Sequence, residues 1–297
     1  MSGRGCLVVR LGAIGDTVLA IPALRRLRER YGRVVVVGSA PAVLLGPVVD
    51  RVVDVEAPAV AALFRSDPAA DDHLCAELGS FEAAVVWLKQ PHAVVTALAR
   101  LGIPRVLAAP SLPAGRRHVV DHLLATIGEP PGARVELPVA PQSRSRAVAL
   151  LRRLGVPSAS VLLAIGAGGA AKRWPAERFA ALAARLACPV AVLAGPADEA
   201  SVAAFRQAQP DIPIVAGVEL ELLPAILADA ALVVANDSGP GHLAAAVGTP
   251  VVSLFGPTDP EVWAPRGPRV TVLQAEDGRL ESLDVADVCS AVERLLA

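Results

Sequence analysis

A chain of 297 residues, 54% of them hydrophobic, is long enough for two domains of ordinary size and a large buried core. A formal net charge of −1 and only 3% aromatic residues exclude the basic field and the base-stacking platforms that nucleic-acid binders use. The four cysteines, Cys6, Cys75, Cys188 and Cys289, form no C-x-x-C pair, which argues against a zinc site or a disulfide framework and fits a reducing cytoplasm. Arg10 interrupts the first apolar run after a few residues, so no signal peptide is expected. Nothing approaches an apolar span of ~20 residues, so no transmembrane helix is expected either. The mean hydropathy of +0.51 is instead that of strands buried on both faces.

The first strand is Cys6 to Arg10. Gly12 and Gly15 then mark a turn, and Asp16-Thr17 opens a helix that runs to Tyr31-Gly32 with Val18, Leu19, Ala23, Leu24 and Leu27 at helical spacing. Pro22 inside it predicts a kink. Asp16 suits an N-cap or a first-turn carboxylate facing the helix dipole. Strands follow at Val34–Val37 and Arg51–Val55, then an alanine-rich stretch over 56–80. Ala83–Leu88 is a central strand, with Lys89-Gln90-Pro91-His92 at its C-terminal end, where open α/β sheets place their ligands. A helix over Ala93–Leu101, a strand over Arg105–Ala108 and a helix over His118–Ile127 complete the first half. His118 and His122 stand at i, i+4, but no third ligand motif accompanies them, so no metal site is expected. Residues 129–160, rich in Pro, Ser and Arg around one short helix, read as a linker centred near Pro141, giving domains 1–141 and 142–297.

The second half restarts the theme. Val161–Ile165 is a strand, Gly166, Gly168 and Gly169 a loop, and Pro175 opens a helix. Lys172 lacks the flanking Gly and Ser/Thr of a Walker A loop. Pro189–Ala194 is the next strand, and Glu199 lies just beyond its end, placed either for a ribose hydroxyl or for the first turn of a helix. A strand at Ile212–Val215 and a helix at Glu221–Ala228 lead to Ala231–Ala235, bounded by Asn236, Asp237 and Ser238. Gly239, Pro240 and Gly241 then start a helix around His242, closed by Gly248 before the strand Val251–Phe255. A helix N-terminus with bare backbone is a ready anion site and can seat a diphosphate. The same glycines equally suit a plain tight βα turn with His242 as packing. Val270–Leu273 and Leu283–Leu296 read as the last strand and a terminal helix.

Asn236-Asp237-Ser238-Gly239, His242 and the later Phe255-Gly256-Pro257-Thr258 resemble the nucleotide-binding signature of glycosyltransferase family 9, the ADP-heptose:lipopolysaccharide heptosyltransferases. Lys172-Arg173-Trp174-Pro175 matches a second signature of that family, and the run from Arg10 to Asp16 followed by Ile21-Pro22-Ala23-Leu24 matches its opening. The likeness is close over 10–24, 166–175 and 235–259 and weaker between 40 and 140. It implies a GT-B fold, two Rossmann-like βαβ domains facing across a cleft, in which the terminal helix can cross back to the first domain. It implies inverting transfer of a heptose from ADP-heptose to a lipid A–Kdo type acceptor at the inner membrane face, by a cytoplasmic, peripherally bound enzyme without cofactor or metal. Asp16 would be the catalytic base. Lys172 would meet the donor phosphates and assist departure of the diphosphate. Glu199, Asp237, Ser238, Gly239, Gly241 and His242 would complete the nucleotide-sugar site. Basic residues of the first domain would face the acceptor, with Arg65, Lys89, Arg105, Arg116 and Arg117 as candidates.

Three other readings remain at this stage. A nicotinamide oxidoreductase would need G-x-G-x-x-G after a first strand, and neither glycine loop has it. A non-catalytic sugar-nucleotide-binding protein would need Lys172 and residues 237–242 but not Asp16. A relative using another donor sugar or acceptor would look much the same.

Overall fold

The computed structural model describes residues 5–58, 60–64 and 80–297. Arg65 and Cys75 lie outside the described residues, as does Asp71-Asp72, an acidic pair in the alanine-rich stretch that is not a D-x-D motif for a divalent cation. The chain divides into two compact units, Met1–Ala133 and Arg134–Ala297. Pro141, where the sequence reading centres a linker, is the first residue of a helix in the second unit, Pro141–Arg153.

The first unit is built on five parallel strands: β1 (Cys6–Arg10), β2 (Val34–Gly38), β3 (Arg51–Asp54), β4 (Ala83–Trp87) and β5 (Val106–Ala109). Their order is β3-β2-β1-β4-β5, so the chain winds one way from β1 to β3 and the other way from β4. That reversal places the ends of β1 and β4 at the switch point where such sheets bind ligands. Arg10 is in register with Trp87 there, and both side chains leave the same face of the sheet. On the other face Leu7, Val9, Val35, Val37, Ala84 and Val86 join Leu98, Val94 and Leu63 in one core. The expected single helix after β1 is two, α1 (Ile14–Leu19) and α2 (Ile21–Tyr31). Pro22 falls in the first turn of α2, where its missing N–H breaks nothing. The helices α3 (His92–Arg100) and α4 (Val119–Thr126) follow β4 and β5.

The second unit has α5 (Pro141–Arg153) and six parallel strands: β6 (Val161–Ala164), β7 (Val190–Leu193), β8 (Ile214–Val215), β9 (Leu232–Asn236), β10 (Val251–Phe255) and β11 (Val270–Gln274). Their order is β11-β10-β9-β6-β7-β8, which puts the switch point between β6 and β9. Helices α6 (Ala176–Arg185), α7 (Glu199–Ala208), α8 (Leu223–Asp229), α9 (Gly239–Ala246) and α10 (Pro260–Trp263) lie between strands. The terminal helix α11 (Val285–Leu296) buries Val285, Val288, Cys289, Ala291 and Val292 in the second unit's own core, beside Phe179 and Leu182 of α6.

Candidate active site

In the first unit the chain leaves β1 at Arg10 and turns through Gly12 into α1. Gly12 has φ +154°, and a Cβ there would lie 2.5 Å from Cβ and 2.8 Å from Oδ2 of Asp16. Only glycine lets the loop pass this close. The Ser39 hydroxyl donates to the Gly12 carbonyl at 2.7 Å and so clasps the turn. Asp16 stands in the first turn of α1. Its Oδ2 accepts the Ala13 N–H at 3.1 Å, which is the helix-start role open to it from sequence. Its Oδ1 accepts from the Arg10 guanidinium at 3.1 Å. The carboxylate nevertheless keeps a side-chain exposure of 29%, against 3% for Arg10. Burial pulls the Arg10 guanidinium below its ordinary value and the Asp16 charge pushes it back up. The second guanidinium nitrogen donates to the Ser111 carbonyl at 3.1 Å.

Lys89, exposed, follows β4, and Arg116 and Arg117, also exposed, lie on the loop after β5, so all three stand at the Asp16 end of the sheet. Arg105 does not. It immediately precedes β5, at the opposite end of the strands, because a residue that opens a parallel strand cannot lie at its C-terminal edge. His118 is buried and caps α4 through its Nδ1, which accepts the Val120 N–H at 3.2 Å. His122 Nε2 is 2.7 Å from the Pro110 carbonyl.

In the second unit Lys172, on a short turn after the glycine loop, reaches Asp237 with Nζ 2.7 Å from Oδ2. The Thr258 hydroxyl donates to the same oxygen at 2.6 Å, and His242 Nε2 is 3.9 Å from Oδ1. Asp237 is buried with a side-chain exposure of 6%, whereas Lys172 keeps 36%. The carboxylate therefore anchors an ammonium that still faces outward, at the N-terminus of α9. That helix end is narrower as an anion site than the sequence suggested. Pro240 has no N–H, and the Gly241 N–H turns back to the Ser238 carbonyl at 3.2 Å. Gly241 itself is a packing residue, since a Cβ there would lie 3.2 Å from Cβ of Ala235 on β9. The Ser238 hydroxyl donates to the Asn236 carbonyl at 3.1 Å rather than capping the helix.

Three residues that hold one or the other of these clusters in shape were given no role of their own from sequence. Asn236, fully buried at the end of β9, donates to the Ile165 and Gly166 carbonyls at 3.0 and 3.2 Å and accepts the Trp174 N–H at 3.0 Å. It therefore sets the shape of the loop that carries Lys172. Asp198, 7% exposed, accepts the Gly195 N–H at 2.8 Å and lies so close to Gly166 that a Cβ there would be 2.0 Å from its Oδ2. Arg173 approaches the other Asp198 oxygen at 3.7 Å. Asp198 thus ties the loop after β6 to the loop after β7 and starts α7, leaving Glu199 exposed on its first turn. Arg10 is the third. An aspartate directly before a helix and an arginine ending a buried strand are the signals that could have marked them.

Two doubly wound parallel units in one chain, each with polar side chains at the C-terminal ends of its strands, are the GT-B class of fold. The family model described as Glycosyltransferase family 9 (heptosyltransferase) matches residues 79–291, and the chain belongs to that family. The chain is 34% identical over 121 residues to lipooligosaccharide heptosyltransferase 2 of Haemophilus influenzae, a match that covers 38% of this chain and 35% of that relative. The chain thus matches about a third of this relative's length. The fold is similar to the solved family 9 glycosyltransferase of Veillonella parvula, with TM-score 0.82, 21% identity and coverage of 100% of this chain and 98% of that one. It is also similar to ADP-heptose lps heptosyltransferase II of E. coli, with TM-score 0.80, 20% identity and coverage of 98% of both chains.

Proposed function

We propose that this chain is an inverting, metal-independent glycosyltransferase that moves a heptose from ADP-heptose to a lipid A–Kdo type acceptor of lipopolysaccharide. The observation that carries the reading is the Lys172–Asp237–Thr258 cluster at the start of α9, a fixed ammonium beside backbone donors. Such a group stabilises the charge that grows on a departing diphosphate. Family membership and the likeness to an enzyme described as acting with ADP-heptose support ADP as the nucleotide. Glu199, exposed at the head of α7, serves the ribose hydroxyls. Asp16 removes the acceptor hydroxyl proton, its carboxylate held on both oxygens yet still open to solvent. Lys89, Arg116 and Arg117 face the phosphorylated acceptor. A lipid-linked acceptor of this kind places the enzyme on the cytoplasmic side of the inner membrane as a peripheral protein. Among the described residues, no helix is long and apolar enough to cross a membrane.

Calorimetric titration with ADP, GDP and UDP tests the donor. ADP is expected to bind in the micromolar to millimolar range that charge-assisted phosphate contacts give. Tighter binding of UDP than of ADP would overturn the assignment.

A further inference from the structure

Arg10 is the most deeply buried charged side chain near Asp16, and nothing in the reaction requires it to touch a substrate. Moving a guanidinium out of water is costly unless its donors are used. Here two of its nitrogens are used, and they go to different segments. One fixes Asp16 Oδ1 and the other the Ser111 carbonyl. Nε has no protein partner. The Ser111 N–H in turn donates to the Leu88 carbonyl at 3.1 Å. A single planar fork therefore spans the start of α1, the head of the loop that carries Arg116 and Arg117, and, through Ser111, the end of β4 beside Lys89. An ammonium in its place could reach one of these acceptors but not both, because only the guanidinium offers donors in a rigid fork.

We propose that Arg10 is the positioning residue of the first unit's half of the reaction. It sets the orientation of the Asp16 carboxylate and holds the acceptor-side loop in register with it. The inference rests on the reading of Asp16 as general base. With Oδ1 held by Arg10 and Oδ2 by the Ala13 N–H, the carboxylate cannot rotate, and the lone pairs it still offers point in a fixed direction. A base misplaced by about 1 Å loses on the order of a hundredfold in rate. Arg10 thus acts through Asp16 and not on the substrate.

The test uses the full chain, with ADP-heptose and heptose-free Kdo-lipid A as substrates. Arg10→Gln is expected to lower kcat at least tenfold while the Kd for ADP stays within about twofold, because ADP is held by the other unit. The double variant Arg10→Gln/Asp16→Asn should be no slower than Asp16→Asn alone, since a positioning residue has nothing left to position. Added guanidinium should restore part of the kcat of Arg10→Ala but none in the Asp16→Asn background. Arg10→Lys, which keeps the charge, covers the case in which Arg10→Gln does not fold, and should still lose several-fold in kcat. Hydrogen exchange provides a readout independent of turnover: Arg10→Gln and Arg10→Ala should raise exchange at the start of α1 and in residues 110–117, whereas Asp16→Asn should raise it only at α1. A folded Arg10→Gln with wild-type kcat, a multiplicative loss in the double variant, or unchanged exchange over 110–117 would each overturn the inference. An Asp16→Asn variant of undiminished kcat would instead remove the base reading beneath it.

Discussion

Asn236→Asp changes one buried NH2 to oxygen and little else. In the wild type that NH2 points at two carbonyls, Ile165 and Gly166, and the residue has no solvent exposure. A carboxylate there would place negative charge against two acceptors, so the native state must take up a proton to form even one of the bonds. The carbonyl left over costs roughly 1–2 kcal/mol. Holding a proton that an unfolded aspartate releases near pH 3.9 costs a further ~1.4 kcal/mol per pH unit above it. The sum is about 3 kcal/mol at pH 5 and about 5 kcal/mol or more at pH 7. The sign follows from linkage: the native form binds the extra proton, so the variant loses stability as pH rises. Urea unfolding followed by circular dichroism at pH 5, 6 and 7 measures this, and ADP titration at pH 5 reports whether the Lys172 loop is still formed. A penalty below about 1 kcal/mol that does not change with pH would mean that Asn236 does not hold the loop after β6.

Asp16→Asn should lower transfer by at least about a hundredfold, with ADP affinity nearly unchanged. An asparagine keeps the helix-start role, but the substitution leaves Arg10 buried beside a neutral amide, so a loss of roughly 1–2 kcal/mol is expected in thermal melts. Lys172→Ala should weaken ADP binding and slow transfer together, because in the proposed mechanism the ammonium serves both the bound nucleotide and the departing diphosphate. Activity should survive excess EDTA, and loss on chelation that Mg²⁺ or Mn²⁺ restores would count against a mechanism built on Lys172 and a helix end. Burial raises the Cys6 thiol to about 12 from an ordinary 9.0, so the unfolded chain releases this proton first and stability should fall as pH rises between those values. A Cys6→Ala variant should show a flatter alkaline limb in the same melts.

Much of the fold is legible because buried parallel strands write themselves as apolar runs. CLVVR, VVVVG and AAVVW admit almost no other reading. The repeated strand–glycine loop–helix theme made the two parallel-sheet halves legible as well. What escapes is the part set by contacts between segments far apart in the chain. Nothing local says that Arg10 meets Ser111, or that Asn236 meets Trp174, across 101 and 62 residues. Pro22 was legible as a disturbance but not as the boundary of a new helix, since either outcome satisfies its missing N–H. Asn236 reads as a turn residue by type, yet it is the last residue of β9, where its amide serves tertiary contacts instead. Arg105 was drawn to the site by its charge alone. Its place at the start of a strand was visible, and strand polarity settles which edge that is.

The placement of α11 sets an order of assembly during synthesis. Everything that holds Asp16, from Arg10 to Ser111, belongs to a unit that ends at Ala133 and has a core of its own. That unit can fold while the ribosome is still making the rest, as domains near an N-terminus commonly do. The second unit cannot follow suit. Its core is closed by Val285, Val288 and Val292, which leave the ribosome long after Ala133. The half that carries Asp16 can therefore be finished early, and the half that carries Lys172 only once α11 has emerged. Deletions within α11 should accordingly abolish nucleotide binding while leaving the unit that carries Asp16 folded.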